Sequence, residues 1–581
     1  MANVNLKING MDVCVPEGTT VLEAARQLGI EIPTLCHLKG LNEIGACRIC
    51  VVEVARARSL MAACVYPVSE GMEVFTNTPR VLEARKKTLE LILSAHDRSC
   101  LSCTRSGKCE LQTLAKKLGV EDAGKYDGFR NEYKIDDSAP HMIRDNNKCI
   151  LCRRCVAACR QQYVGVIGPN NRGFKTSIGC AFERPLNDTA CISCGQCIVS
   201  CPTGALAERD DTAKVFEALA DPTKHVVVQT APSIRATLGE CFDLPIGTNV
   251  EGKMVAALRR LGFDKVFDTD FAADLTIMEE ANEFIDRVQN GGKLPLITSC
   301  SPGWIKFCET YHPNMLENLS SCKSPQQMFG AVIKTWYAEK NGIDPKDIVS
   351  VSVMPCTAKK FEVDRDDQSA AGVPDVDISI TTRELARMIE KAAINFNLLP
   401  DEQFDNPLGE STGAAVIFGV TGGVMEAALR TAVETLTGKE LDDVNFNAVR
   451  GNAPIKEATL NVAGMDVKVA VASGAAAAHT LLQRVNNGEQ FHFIEIMGCP
   501  GGCINGGGQP HQPAAVRSFT DYKTLRAAAL YNDDAGKTIR KSHENPMIKE
   551  IYKDYFEKPG SHKAHEVLHT TYVDRSKKVI K

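Results

Sequence analysis

Two kinds of apolar pattern divide the chain. At the amino terminus, residues 3–8 and 12–15 alternate apolar and polar positions as strands do, and the pair Asn9-Gly10 between them is typical of a hairpin turn. A helix is predicted to begin near Thr20, and apolar residues recur at helical spacing across residues 81–93. These features predict a small strand-rich unit followed by a helix.

After about residue 210, short runs rich in β-branched residues alternate with amphipathic helices. A helix is predicted over residues 210–222. Strands are predicted over residues 226–229, 294–298, 348–354, 377–380, 467–472 and 491–497. Such alternation favours α/β layers with a largely parallel sheet, so the chain is predicted to be multidomain, with α+β units first and a large α/β domain last.

Size and composition fit several globular domains. The chain has 581 residues, of which 44% are hydrophobic and 24% charged, and its formal net charge is -5. The length predicts about four domains, and the charge gives no indication of a nucleic-acid partner. No uninterrupted apolar stretch approaches the ~18 residues that a membrane span needs. Because the first residues also lack an export signal, the protein is expected to be cytoplasmic.

The 24 cysteines change this picture, because many of them stand at two- and three-residue spacings. Without an export signal, such spacings indicate metal ligands rather than disulfides. Accessible thiolates and clusters oxidise readily, which favours an anaerobic or strongly reducing cell.

The segments CILCRRCVAAC (149–159) and CISCGQCIVSCP (191–202) repeat one cysteine pattern. Three cysteines at two-residue gaps are followed by a fourth after three more residues, as in two-cluster bacterial ferredoxins, where the fourth cysteine binds the other half's cluster. Structural zinc would leave these fourth cysteines unexplained. One 4Fe-4S cluster is therefore assigned to Cys149, Cys152, Cys155 and Cys201, and a second to Cys191, Cys194, Cys197 and Cys159.

The amino-terminal unit contains Cys36, Cys47, Cys50 and Cys64, at gaps of ten, two and thirteen residues. It resembles a variant of the 2Fe-2S domain of plant-type ferredoxins and is predicted to hold a 2Fe-2S cluster. Cys14 lies on a predicted strand and is expected to be a small buried apolar residue.

A third ligand group follows the helix predicted over residues 81–93 and consists of His96, Cys100, Cys103 and Cys109. Zinc would accept one histidine and three cysteines equally well. The position between two cluster motifs favours a histidine-ligated 4Fe-4S cluster instead. This arrangement resembles the large iron-sulfur subunit of respiratory complex I and its relatives.

Three of the predicted strands in the last domain run into cysteines. Residues 294–298 lead to Cys300, residues 348–354 to Cys356, and residues 491–497 to Cys499 and Cys503. In open α/β sheets the ligand crevice lies off the carboxyl ends of the strands, so these distant cysteines are expected to converge on one site.

The segments TSCSPGW (298–304), MPCTAKKFE (354–362) and EIMGCPGGCINGGGQP (495–510) resemble the three signature segments of the FeFe, or iron-only, hydrogenases. The likeness covers essentially the whole chain and matches the long clostridial-type members in domain order. It implies an H-cluster, in which a 4Fe-4S cubane is bridged to a diiron centre that carries CO, cyanide and a dithiolate. Maturation proteins would have to install this group.

The resemblance also implies roles for individual residues. Cys356, Cys499 and Cys503 match cubane ligands, with Cys503 as the bridge, and Lys359 matches a lysine that donates to a cyanide. The glycines of residues 501–508 would let the backbone approach a bulky cofactor. Pocket-lining positions are matched by Ala231, Pro232, Ser233, Gln326, Met354, Phe418 and Met497.

The chain departs from the family in its first signature segment. The family has two adjacent cysteines there, a proton relay and a cubane ligand, whereas this chain has Cys300-Ser301. Either Ser301 coordinates iron through oxygen, or a local shift makes Cys300 the ligand. The register to Pro302 favours Cys300 as the relay, and a thiol pKa of ~8.5 suits proton transfer better than a hydroxyl does.

A buried relay needs a route to solvent. Glu280, Glu283 and Arg287 share one helix face at three- and four-residue steps. A solvated surface is the ordinary interpretation of such a stripe, but residues 276–280 match the family segment that carries a proton channel. Ser320 matches the channel's serine, which predicts the order Cys300, Glu280, Ser320, Glu283, Arg287.

Four domains are therefore predicted: a 2Fe-2S domain (1–78), a histidine-ligated 4Fe-4S domain (79–140), a two-cluster 4Fe-4S domain (141–209) and an H-cluster domain (210–581). The predicted function is interconversion of dihydrogen with protons and electrons. No G-x-G-x-x-G motif lies between a strand and a helix, so NAD(P) or flavin chemistry would need partner subunits, with ferredoxin as the other expected partner. The alternatives are a non-catalytic electron-transfer subunit like that of complex I, and a hydrogen-sensing relative.

Overall fold

The computed structural model describes residues 2–462 and 464–579. Its strands are β1 (Asn3–Ile8), β2 (Met11–Pro16), β3 (Val51–Val54), β4 (Met61–Ala62), β5 (Glu73–Phe75), β6 (Met142–Arg144), β7 (Gly168–Asn170), β8 (Ser177–Gly179), β9 (Leu206–Glu208), β10 (His225–Thr230), β11 (Lys265–Asp268), β12 (Leu296–Ile297), β13 (Ile348–Met354), β14 (Ile378–Thr381), β15 (Ile455–Val462), β16 (Met465–Ser473) and β17 (Phe493–Met497).

The α-helices are α1 (Val21–Gln27), α2 (Pro79–Ser94), α3 (Glu110–Lys117), α4 (Arg154–Gln161), α5 (Gln196–Ser200), α6 (Thr212–Ala220), α7 (Pro232–Arg235), α8 (Glu251–Leu261), α9 (Asp270–Asn290), α10 (Pro302–Tyr311), α11 (Pro325–Val332), α12 (Ala338–Asn341), α13 (Lys359–Glu362), α14 (Thr382–Lys391), α15 (Gly413–Val416), α16 (Gly423–Thr437), α17 (Ala475–Asn486), α18 (Ala514–Phe519), α19 (Tyr522–Gly536), α20 (Pro546–Ile551) and α21 (His562–Leu568). None of the helices in the described ranges is long and apolar enough to cross a bilayer.

The amino-terminal module is a five-stranded sheet in the order β2-β1-β5-β3-β4, with α1 packed beside it. The predicted hairpin is confirmed, since β1 and β2 pair antiparallel and Gly10 takes a φ of +82° at the turn. The Thr20 hydroxyl caps α1 by accepting from the backbone N–H of Glu23.

The next two modules are built from short elements that present cysteine loops. Helix α2 begins at Pro79, after Thr78 caps it, and its apolar face packs against α3. In the following module, α4 and α5 each begin after a residue with positive φ, Arg153 and Gly195. The strand pairs β6–β9 and β7–β8 complete this module.

The last region contains two separate four-stranded sheets. The first has the order β11-β10-β13-β14 and is entirely parallel. The second has the order β12-β17-β16-β15, and only β15 runs antiparallel to its neighbour. The predicted α/β architecture with largely parallel strands is therefore confirmed, although it is divided between two sheets.

Helix α9 is the longest helix of the described residues and lies between the two sheets. Its apolar residues contribute to cores on both sides, with Phe271 and Leu275 in one and Ala273 and Ile277 in the other. The carboxyl-terminal helices α20 and α21 pack on the same side as Phe271. This packing brings the end of the chain beside the charged face of α9.

Candidate active site

Three cysteines from two sheets meet at the carboxyl ends of the strands. Cys356 follows β13 in the first sheet, whereas Cys499 and Cys503 follow β17 in the second. Burial raises the pKa of the Cys503 thiol to about 12, and the charge of Cys356 adds to the rise. Burial also raises the pKa of Cys499, with Cys356, Cys194 and Cys503 contributing. Buried thiolates that destabilise one another need bound cations, so this donor set fits an iron cluster.

The glycines of residues 501–508 lie where this loop closely approaches the loops that carry Cys356 and Cys194. A Cβ on Gly506 would lie 2.2 Å from the carbonyl oxygen of Pro355, and one on Gly507 would lie 2.4 Å from that of Cys194. These glycines are therefore required by contacts between protein segments, which the sequence interpretation did not include. The contacts place Cys503 next to the segment that carries Cys356.

Cys300 and Ser301 have different surroundings. Burial raises the pKa of the Cys300 thiol well above its ordinary range, and the charge of Glu280 is the next largest cause. The Ser301 hydroxyl instead accepts a hydrogen bond of 3.0 Å from the backbone N–H of Gly498. Cys300 thus adjoins the first acid of the predicted proton route, while Ser301 adjoins the loop that carries Cys499.

Lys359 is a buried cation beside these cysteines. Its ammonium donates to Glu362 Oε2 and Ser324 Oγ, each at 2.8 Å, and to the carbonyl oxygen of Cys300 at 3.4 Å. Its charge opposes the rise in the pKa of Cys503. A cation held in this way can stabilise anionic ligands of a cofactor.

All seven residues predicted to line the cofactor pocket are buried, namely Ala231, Pro232, Ser233, Gln326, Met354, Phe418 and Met497. The Gln326 amide donates to Glu362 Oε2 at 2.9 Å, which joins it to the Lys359 network. Phe418 and Met497 belong to the apolar cluster that also contains Cys300 and Cys503.

Glu280, Glu283 and Arg287 of the predicted proton route lie on α9, and the carboxyl oxygens of Glu280 are buried without a hydrogen-bond partner among the described residues. Burial, and next the charge of Glu283, raise the pKa of Glu280 to about 8. A carboxyl that stays protonated to about neutral pH can both accept and release protons there. Ser320 Oγ donates to Glu283 Oε2 at 3.0 Å, and Arg287 pairs with the other oxygen of Glu283 at 2.6 Å.

The ferredoxin cysteines lie in two groups. Burial raises the pKa of Cys155, followed by the charges of Cys152, Cys201 and Cys149, which are its predicted partners. Burial raises the pKa of Cys197, followed by those of the other predicted quartet, Cys194, Cys191 and Cys159. Each quartet therefore contains the fourth cysteine of the opposite half.

The second ferredoxin quartet lies directly against the catalytic loops. Thr357 Oγ1 donates to the carbonyl oxygen of Ser193 at 2.8 Å, and Cys499 Sγ lies 3.9 Å from the carbonyl oxygen of Cys194. A Cβ on Gly195 would lie 2.8 Å from the Cα of Gly507. This backbone contact, here called the Gly195–Gly507 joint, adjoins both sets of cysteines.

The amino-terminal cysteines form two close pairs. The backbone N–H of Cys47 donates to Cys36 Sγ at 3.4 Å, and the sulfurs of Cys50 and Cys64 lie 3.3 Å apart. The pKa of the Cys64 thiol is raised first by its hydrogen bond to Cys50 and then by burial. Four neighbouring thiols in this module fit a 2Fe-2S cluster.

The ligand group predicted in the second module contains one histidine. Burial lowers the pKa of His96 to about 4, which keeps the imidazole neutral as a metal ligand must be.

Both amino-terminal modules contact the first ferredoxin quartet. The Asn42 amide donates to the carbonyl oxygens of Cys36 and Cys152, at 2.8 and 3.0 Å, and so joins the 2Fe-2S module to the quartet. Cys109 Sγ lies 3.6 Å from the carbonyl oxygen of Pro202, the residue after Cys201. The two modules thus form a branch at this quartet.

The remaining cysteines divide between interior and surface. Cys180, Cys241, Cys308 and Cys322 are buried, as expected for packing residues. The prediction is wrong for Cys14, which is exposed on β2 because its side chain points away from the sheet core.

Sequence reasoning missed the carboxylates that support the site. Glu362 anchors Lys359, and Glu495 accepts from the backbone N–H groups of Gly422 and Met425, each at 2.7 Å. Both acids lie inside the quoted signature segments, but a single carboxylate has no spacing pattern that marks its role.

The fold and site define an iron–sulfur redox enzyme whose cysteine modules lead to a buried catalytic centre. Family models match in order: a 2Fe-2S cluster binding domain (1–79), an NADH-ubiquinone oxidoreductase-G iron-sulfur binding region (85–123), a 4Fe-4S dicluster domain (148–207), the iron-only hydrogenase large subunit, C-terminal domain (224–507) and the iron hydrogenase small subunit (520–575). The chain belongs to the iron-only, or FeFe, hydrogenases, and it is a hydrogenase with accessory iron–sulfur domains. The non-catalytic alternative is therefore wrong.

Similar proteins span the whole chain or its catalytic part. The NADP-reducing hydrogenase subunit HndD of Solidesulfovibrio fructosivorans is 52% identical over 99% of this chain and 100% of its own length. Iron hydrogenase 1 of Clostridium pasteurianum is 44% identical, over 97% of this chain and 99% of its own. The solved FeFe hydrogenase HydA1 of Chlamydomonas reinhardtii is 42% identical with a TM-score of 0.56, over 62% of this chain and 98% of its own.

Proposed function

We propose that this hydrogenase holds its catalytic cofactor through Cys356, Cys499 and Cys503, with Cys503 as the bridge to a diiron unit. The observation that carries the proposal is the convergence of buried Cys499 and half-buried Cys356 and Cys503 from two sheets. When bound, the H-cluster supplies the cleavage and formation of dihydrogen and exchanges the electrons.

The protein's own contribution begins with charge and exclusion of water. Lys359, fixed by Glu362 and Ser324, places a positive charge where anionic ligands such as cyanide would be bound. The buried side chains of Phe418, Met497 and the other lining residues keep water and oxygen from the centre.

Protons are proposed to pass between the centre and solvent through side chains of α9 and its neighbours. Cys300 exchanges protons with Glu280, and Ser320 links Glu280 to Glu283 beside Arg287. Assignment of the relay to Cys300 is supported by its position next to Glu280, which Ser301 does not share.

Electrons are proposed to pass from the centre to the second ferredoxin quartet across the Gly195–Gly507 joint, then to the first quartet and the two amino-terminal modules. The cofactor set is one 2Fe-2S cluster, three accessory 4Fe-4S clusters and the H-cluster. The likeness to an NADP-reducing hydrogenase subunit supports flavin- and NAD(P)-binding partner subunits as electron acceptors, with ferredoxin as the alternative. Maturation proteins would install the diiron unit.

The test uses the full chain produced with maturation proteins. We expect CO and cyanide bands in its infrared spectrum and evolution of dihydrogen from reduced methyl viologen. Cys503→Ala should lose the bands and the activity, whereas Cys308→Ala, which alters a buried cysteine outside the site, should keep both. Bands without turnover in the unaltered chain would favour the hydrogen-sensing alternative, and bands retained in Cys503→Ala would contradict the ligand assignment.

A further inference from the structure

The predicted proton route ends at Arg287, whose guanidinium is held by many hydrogen bonds. Besides its pair with Glu283, the Arg287 guanidinium donates to four backbone carbonyl oxygens, those of Lys293, Glu317, Asn318 and Leu319. A guanidinium also stays protonated in proteins, so it does not take up and release protons. Arg287 therefore holds Glu283 in place rather than carrying protons, and the Glu283 side chain, which is 15% exposed, has further hydrogen-bond partners.

A second chain of hydrogen bonds leaves Glu283. Its Oε2 atom accepts from Ser321 Oγ at 3.2 Å, and Ser321 Oγ is in turn hydrogen-bonded to His569 Nδ1 at 2.8 Å. His569 follows α21, and its backbone pairs with that of Cys322. An imidazole has two ring nitrogens that can each accept or donate a proton, so a histidine can pass a proton across its ring.

The other side of the His569 ring faces an acid and the protein surface. Its Nε2 atom lies 3.2 Å from Glu279 Oε2, and the Tyr552 hydroxyl donates to the other oxygen of Glu279. The ring centroid of exposed His565 lies 4.1 Å from that of His569. Burial, and next the charge of His569, lower the pKa of His565, whereas Glu279 and Glu283 oppose this shift.

We propose that Ser321 and His569 form a proton outlet from Glu283 to the protein surface. The Glu283 carboxyl gives its proton to Ser321 Oγ while the serine hydroxyl proton passes to His569 Nδ1, which leaves a carboxylate and an imidazolium. The imidazolium, which the Glu279 carboxylate stabilises from 3.2 Å, then loses its Nε2 proton to water at the partly exposed edge of the ring beside His565, and a flip of the ring restores the starting tautomer. The reverse sequence delivers protons inward. The inference rests on the proposed entry of protons through Glu280.

The test compares His569→Gln, His569→Ala and the control His562→Gln. His562 lies at the start of α21, the helix that His569 follows, and its side chain is 90% exposed. All are made in the full matured chain and assayed for dihydrogen evolution and oxidation from pH 5 to 9, in H₂O and D₂O. Both His569 variants should lower turnover about tenfold and raise the solvent isotope effect, with the KM for viologen unchanged. Added imidazole should restore His569→Ala several-fold, and His562→Gln should behave as the unaltered protein.

Two comparisons separate proton transfer from a structural role. Glutamine can still hydrogen-bond to Ser321 but cannot carry a proton, so recovery of the normal rate and pH profile in His569→Gln would overturn the proposal. Ser321→Ala keeps the imidazole but breaks its link to Glu283, and a full rate in that variant would overturn it equally. Infrared bands recorded on the same samples show whether the cofactor is present. An inactive unaltered chain with those bands would instead count against the proposed function.

Discussion

At the scale of single residues, the adjacent Cys300 and Ser301 pose the sharpest question about the site. Cys300→Ala is expected to lower dihydrogen turnover about 100-fold or more, because the thiol lies between the centre and Glu280. Its iron content and infrared bands should remain unchanged. Loss of iron in this variant, with none lost in Ser301→Ala, would mean that Cys300 is a ligand and not the relay.

Glu280 has a measurable effect on stability. Its carboxyl is neutral in both folded and unfolded chains below pH 4.5, but between pH 4.5 and about 8 it ionises only in the unfolded chain. The free energy of unfolding therefore falls as the pH rises through this window, and the loss is on the order of 3 kcal/mol by pH 7.

Glu280→Gln removes this penalty. Thermal unfolding at pH 7 and pH 5 should show the variant to be more stable than the unaltered protein at pH 7, with a much smaller difference at pH 5. The same change should block proton passage, so turnover should fall while stability rises. If Glu280→Gln and the unaltered protein unfold at the same temperature at pH 7 as well as at pH 5, Glu280 is not buried as a neutral acid.

Sequence predicted the residues of the site whose roles follow from spacing. The cysteine quartets were readable because their spacing repeats, and Glu280 and Glu283 because they share a helix face, whereas the order of the proton route was implied by the resemblance to the family. Ser321 and His569 are 248 positions apart, and nothing local to either residue indicates that they meet. Contacts of this kind depend on how helices pack, which the pattern of one chain does not specify.

At the scale of elements, strands were predictable where they are buried. The run at residues 348–354 coincides with β13, whose neighbours cover both edges. Strands β11 and β15 were missed, because KVFD is short with charged ends and IKEATLNV alternates polar residues at a sheet edge.

Helix α4 carries the residue that ties three modules together. Arg154 is buried and bonds both carboxyl oxygens of Glu110 on α3, at 2.7 and 3.1 Å, and the carbonyl oxygens of Cys36 and His37. Arg154→Ala leaves these acceptors unpaired and is expected to destabilise the docking of the modules by about 3 kcal/mol.

Limited proteolysis and thermal unfolding would measure this effect, and release of the first two modules should occur at a lower temperature than release of the catalytic domain. Arg160→Ala is the matched control, since Arg160 lies exposed on the same helix. If both variants unfold alike, the Arg154 contacts do not hold the modules.

At the scale of the whole molecule, the branch at the first ferredoxin quartet predicts independent electron paths. Cys103→Ala should abolish the cluster of the second module, yet the 2Fe-2S cluster should still be reduced by dihydrogen, because Asn42 joins its module directly to Cys152. Freeze-quenched electron paramagnetic resonance would follow this reduction. If electrons instead reached the 2Fe-2S cluster only through the second module, Cys103→Ala would abolish or greatly slow its reduction. In Asn42→Ala the 2Fe-2S cluster should still be reduced, but at a lower rate.

The Gly195–Gly507 joint has a consequence for evolution of the enzyme. The electron step proposed there passes a point where a methyl group on Gly195 would lie 2.4 Å from Thr357 Oγ1 and 2.8 Å from the Cα of Gly507. Surface substitutions in the amino-terminal modules can change which electron acceptor binds there without lengthening the electron transfer across the Gly195–Gly507 joint. New acceptors can therefore be recruited at the periphery while the innermost transfer keeps its geometry.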